Sequence, residues 1–121
     1  MAKLKRDAQL TKSNILKVAM ELFSIKGFDA TTVDDIAASC SVNKAMIYYY
    51  YKNKSGLYEE VMVTLMENIY NHIYAEYKKS STAIDGLKVF VLTYSIYAKK
   101  NPYFPALLLR ELSNSGAKLP E

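Results

Sequence analysis

The chain has 121 residues, half of them apolar, with 16 Lys and Arg against 12 Asp and Glu and a pI near 9.0. That apolar fraction excludes a disordered chain, and no run of about 18 uncharged apolar residues exists to cross a membrane. The start, Met1-Ala2-Lys3-Leu4-Lys5-Arg6-Asp7, has charge but no apolar block behind it and does not read as a secretory signal. The single Cys40 cannot staple the chain and fits a reducing cytoplasm.

Residues 11–26 read as an amphipathic helix. Ile15, Leu16, Ala19, Leu22 and Phe23 recur at three- and four-residue steps, with Thr11 as the expected N-cap and Gly27 at the C-terminal end. Thr32-Val33-Asp34-Asp35 resembles a capping box opening a short helix with Val33, Ile36, Ala37 and Cys40 inside. Asn43 caps a second short helix, from Lys44 to about Tyr51. Asn53 caps a longer one with an i, i+4 ladder at Leu57, Val61, Leu65, Ile69, Ile73 and Tyr77. Lys78 to Thr82 form a polar connector. A fifth helix, residues 83–100, is apolar at Ile84, Leu87, Val91, Tyr94 and Ala98. Asn101-Pro102 stops it, and a sixth runs over residues 103–112 until Ser113-Asn114-Ser115-Gly116. The expectation is an all-α chain.

The positive charge is unevenly placed. Residues 1–56 carry nine Lys and Arg against five acids, whereas residues 57–121 carry seven of each sign. The surplus therefore belongs to the first half, which suggests a polyanion partner there.

A long helix followed by two short ones joined tightly is the layout of a three-helix, homeodomain-like helix-turn-helix head. Ile36, Val42 and Ile47 would face its core, leaving Asn43, Lys44, Ala45, Tyr48 and Tyr49 outward as a groove-reading set. Successive helix residues turn about 100°, so the four tyrosines must divide. Tyr48 and Tyr49 are expected outside, Tyr51 in the core and Tyr50 undecided.

Ala30-Thr31-Thr32-Val33-Asp34-Asp35-Ile36-Ala37, followed by Val42-Asn43-Lys44-Ala45-Met46-Ile47-Tyr48-Tyr49-Tyr50-Tyr51-Lys52-Asn53-Lys54, resembles the TetR family of bacterial transcriptional regulators. The resemblance spans residues 9–69, the motif itself residues 32–51. It implies a DNA-binding domain over 9–69, with a long linking helix leading into a helical effector-binding and dimerisation domain that starts over 70–121. It also implies that Thr32 opens the second helix toward a phosphate. Asn43, Lys44, Ala45 and Met46 would lead the recognition helix into the major groove. Tyr48 and Tyr49 would touch phosphate and base-methyl surfaces, and Lys54 the DNA backbone.

Three departures stand out. Ser41 replaces the usual turn Gly, Ala45-Met46 replaces a frequent Gly-Thr, and Gly56 in the first turn of the fourth helix suggests a pivot. Family members of ordinary length carry further helices for a two-fold dimer, so the expectation is that 121 residues are a fragment. Tyr70, Tyr74, Tyr77, Phe90, Tyr94, Tyr97, Tyr103 and Phe104 are candidates for an effector pocket, although core packing is the commoner role of each.

The leading expectation is a dimeric repressor on a palindromic operator in double-stranded DNA, released by a small-molecule effector. A helical interaction module binding a protein or an anionic membrane through its basic head is the alternative. Catalysis is not expected: the acidic pairs diverge on their helices, and no metal cluster or phosphate loop appears, so no cofactor is expected either.

Overall fold

The computed structural model describes residues 2–114, and these form six helices with no strand. They are α1 (Ala2–Lys26), α2 (Val33–Cys40), α3 (Lys44–Tyr51), α4 (Lys54–Tyr77), α5 (Ala83–Lys100) and α6 (Tyr103–Ser113). The stop expected at Gly116 lies outside the described residues.

Local signals fix most boundaries. The Asp35 amide donates to Thr32 Oγ1 at 3.0 Å and the Thr32 amide donates to Asp35 Oδ2 at 3.2 Å, completing the capping box of α2. Asn43, Asn53 and Thr82 accept from the Met46, Gly56 and Asp85 amides in the same way. Gly27 ends α1 at φ 84°.

α1 departs from expectation. It starts at Ala2, not at Thr11, whose hydroxyl donates back to the Asp7 carbonyl inside the helix at 2.9 Å. The first nine residues of α1 are exposed on every side, so no apolar period announces them.

One core runs through the molecule. Ile15, Ala19 and Phe23 of α1 meet Ile36 and Ala37 of α2 and Ile47 and Tyr51 of α3, and behind them lie Leu57, Tyr58, Val61, Met62 and Leu65 of α4. Cys40 is buried behind the turn, where removal from water raises its thiol pKa. α4 passes out of this head to pack on α5, while α6 returns to lie against α1.

The ladder on α4 is buried from Leu57 to Ile69, then fades: Ile73 is half-buried and Tyr77 exposed. α5 is turned differently from its apolar stripe. Ile84, Leu87 and Val91 are 69%, 63% and 53% exposed, whereas Gly86 and Tyr97 are buried. Gly86 packs against the Tyr77 ring so closely that a Cβ there would make the ring shift.

Candidate nucleic-acid interface

The head presents one outward surface made of the start of α2 and one side of α3. Ile47 and Tyr51 hold α3 from behind, both buried, and the Tyr51 hydroxyl donates to the Lys12 carbonyl at 3.0 Å. Burial, with Glu60 and Tyr50 nearby, pushes the Tyr51 pKa up to about 12. On the opposite side Asn43, Lys44, Ala45, Tyr48 and Tyr49 are exposed, Tyr49 at 82%. Met46 is half-buried and Tyr50 likewise, its ring edge-on to Tyr49 at 5.1 Å.

The turn between the two short helices carries the expected strain. Ser41 sits at φ 56°, ψ 40°, a left-handed conformation that glycine adopts at less cost. The Val42 amide donates to the Ala37 carbonyl at 3.1 Å, so the end of α2 is closed by backbone bonds rather than by a side chain.

Charges on this face are held but exchangeable. Lys44 Nζ lies 3.0 Å from Asp34 Oδ1, and that hydrogen bond raises the Lys44 pKa. Lys26 lies 3.4 Å from Asp35, whose carboxyl the Thr32 backbone and hydroxyl hold below the usual range. Such exposed pairs contribute little, so a polyanion can take over Lys44 at small cost. Thr32 itself is exposed at the N-terminus of α2, where unpaired amides and the helix dipole favour a phosphate.

Lys54 is engaged within the fold, next to the start of α2. Its ammonium donates to the carbonyls of Phe28 at 2.8 Å and Thr31 at 2.9 Å, and lies 4.3 Å from the centre of the Phe28 ring. It therefore braces the first turn of α4 against the α1–α2 connection, a role the sequence resemblance did not suggest. Thr31 completes the brace from within, fully buried and donating to the Gly27 carbonyl at 2.7 Å.

The α3–α4 junction is equally constrained. Lys52 has φ 67°, ψ −56°, and the Asn53 amide donates to the Tyr51 carbonyl at 2.8 Å, closing a rare γ-turn. Gly56 is required by that turn: a Cβ there would strike the Tyr51 carbonyl oxygen. The expected pivot is thus a close packing contact.

Of the aromatic residues considered for a pocket, Tyr97 and Phe104 are buried core, while Tyr70, Tyr74, Tyr77 and Phe90 are exposed. A cavity of about 410 Å³ opens between α4 and α5, lined by His72, Glu76, Leu92, Ile96, Tyr97 and Lys100. Only Tyr97 is common to the two sets. No group of three or more His, Cys, Asp or Glu able to hold a metal occurs among the described residues, and no helix among them is long and apolar enough to cross a membrane.

Residues 15–61 match the model of the bacterial regulatory proteins, tetR family. The chain is 37% identical over 83 residues to IcaR of Staphylococcus aureus strain Newman, described as the HTH-type negative transcriptional regulator of the biofilm operon icaADBC. The match covers 69% of this chain and 45% of that protein. IcaR of Staphylococcus epidermidis is 36% identical over 86 residues, covering 69% and 44%. The chain thus spans a little under half the length of these relatives. Among solved structures, a HlyIIR mutant superposes with TM-score 0.71 at 26% identity, covering 92% of this chain and 62% of that one. The ketosteroid transcriptional regulator KstR2 of Mycobacterium tuberculosis superposes at 0.77 with 16% identity, over 88% and 55%, which shows a shared fold.

Proposed function

The chain belongs to the tetR family of bacterial regulatory proteins, and on that premise we propose that it is a sequence-specific DNA-binding repressor. Members of this family are transcriptional regulators rather than enzymes. The observation that carries the reading is α3 itself: Asn43, Lys44, Ala45, Tyr48 and Tyr49 point outward from a helix locked behind by Ile47 and Tyr51.

Residues 9–69 serve as the DNA-binding domain, and residues from 70 onward belong to the effector-binding and dimerisation part. Asn43 and Lys44 meet base edges or phosphates at the mouth of the major groove. Ala45 and the half-buried Met46 allow close approach, and Tyr48 and Tyr49 contact phosphates and thymine methyls. The N-terminus of α2 at Thr32 takes a flanking phosphate. The protein works in the cytoplasm as a homodimer on a palindromic operator, with recognition helices about 34–36 Å apart or a multiple of that. A small-molecule effector tilts α4 and changes that spacing. The α4–α5 cavity, lined by Val89, Leu92 and Ile96 together with His72, Glu76 and Lys100, suits a small amphipathic molecule.

The test is duplex affinity measured against salt for the wild type, Lys44→Ala and Tyr48→Ala. A steep salt slope and a loss of about 1–3 kcal/mol at a base-reading position support the reading. Equal affinity for any polyanion, unchanged by either substitution, contradicts it and favours an interaction module with a basic head.

A further inference from the structure

The N-terminal third of α1 forms a cleft with the last turns of α3. Lys5, Ala8, Gln9 and Lys12 fall at i, i+3, i+4 and i+7, one face of the helix. They line an open cleft of about 650 Å³ whose other wall is Tyr49 and Tyr50. A helix face turned toward a neighbouring helix is ordinarily apolar. This one is basic at both ends, with Ala8 and Gln9 between.

Its charge is also uncommitted. Lys26 and Lys44 are held by Asp35 and Asp34, and Lys54 by two carbonyls. Among the described residues no ion pair involves Lys3, Lys5, Arg6 or Lys12. These four cations against the single Asp7 carry three of the chain's four net positive charges. Lys12 Nζ stands 5.8 Å from the centre of the Tyr51 ring, beside the cleft. Tyr49 belongs to both surfaces, so the cleft continues the face of α3 without a break.

We propose that the cleft between the first turns of α1 and Tyr49–Tyr50 is a second DNA contact, holding a phosphate-backbone segment beside the groove that α3 enters. Lys5 and Lys12 neutralise successive phosphates, Ala8 leaves room for the strand, and the Tyr49 hydroxyl donates to it. The contact adds affinity and orientation but no base information. It rests on the DNA-binding reading above.

The experiment uses a duplex recovered by the whole chain from a random-sequence pool, with binding measured from 50 to 300 mM salt. Each neutralised phosphate contributes about 0.9 to the slope of log affinity against log salt. Lys5→Gln/Lys12→Gln should therefore flatten the slope by about 1.8 and leave the preferred sequence unchanged. Ala8→Glu, at an exposed position that tolerates the longer side chain, should weaken binding at least tenfold with the melting temperature unchanged. Lys78→Gln/Lys79→Gln, equal in charge but beyond α4, should keep the wild-type slope. A wild-type slope in the Lys5/Lys12 variant, or a matching loss in the Lys78/Lys79 variant, overturns the cleft alone. Failure of the wild type to select any duplex overturns the cleft together with the DNA-binding reading.

Discussion

The Tyr58 hydroxyl donates to Oε2 of Glu111 at 2.6 Å, joining α4 to α6 across 53 residues of sequence. Glu111 is 1% exposed, and the Tyr58 ring stands edge-on to Phe23 at 5.0 Å and Phe28 at 5.1 Å. One residue earlier, Arg110 donates through Nε to the Ser24 carbonyl and through Nη2 to the Ile25 carbonyl, covering the open end of α1. The position of α6 is thus tied by side-chain bonds to α1 and α4, both long helices of the head.

Tyr58→Phe removes a hydrogen bond to a buried carboxyl and should cost about 1.5–3 kcal/mol in denaturant unfolding. Burial and then the Glu111 bond push the Tyr58 pKa well above its ordinary value. Its contribution is present below pH 10 and is lost as pH rises toward the folded-state value. The variant should therefore lose less stability than the wild type between pH 9 and pH 11. An identical alkaline loss in both proteins would contradict this.

Lys54→Ala should destabilise the chain by roughly 1–3 kcal/mol, since two charge-assisted bonds go with it, yet leave the salt slope of duplex binding unchanged. A phosphate-contacting Lys would instead reduce the slope by about 1. Thermal melts and salt titrations on the same preparation separate the two outcomes.

Gly56→Ala gains helix propensity, worth about 1 kcal/mol at an ordinary position. Here the new methyl meets the Tyr51 carbonyl, so a net loss above 1 kcal/mol is expected, with weaker duplex binding because α3 shifts on α4. A stabilised variant with unaltered affinity would show that the junction yields easily.

Asp35 is held below the usual carboxylate range by the Thr32 backbone and hydroxyl. Its contribution is present above the ordinary value of 3.8 and is lost as pH falls through the lower folded-state value. Asp35→Asn should flatten the acid limb of stability below about pH 4, read by circular dichroism, and change nothing near neutrality in that pH dependence.

What the sequence made legible was local. The caps at Thr32, Asn43 and Asn53 and the division of Tyr48 and Tyr49 from Tyr51 follow from spacing within a few residues, and the left-handed Ser41 from the family resemblance, which has Gly there. The start of α1 was hidden because a helix exposed on every side has no apolar period. The rotation of α5 was hidden because its own apolar stripe points elsewhere: Ile84, Leu87 and Val91 are exposed while Gly86 packs against Tyr77. Lys54 reaching Phe28, Arg110 reaching Ser24, and Tyr58 reaching Glu111 join positions 26, 86 and 53 apart. No periodicity encodes such pairs. The outward face of α3 was readable since one turn of helix specifies it; the brace behind it was not.

Discrimination at physiological salt tests the central claim most directly. The whole chain is titrated, by fluorescence anisotropy at 150 mM salt, with a duplex recovered from a random pool and with the same duplex scrambled. A reading face on α3 predicts preference for the recovered duplex by roughly a thousandfold or more. Equal affinity for both duplexes would contradict it.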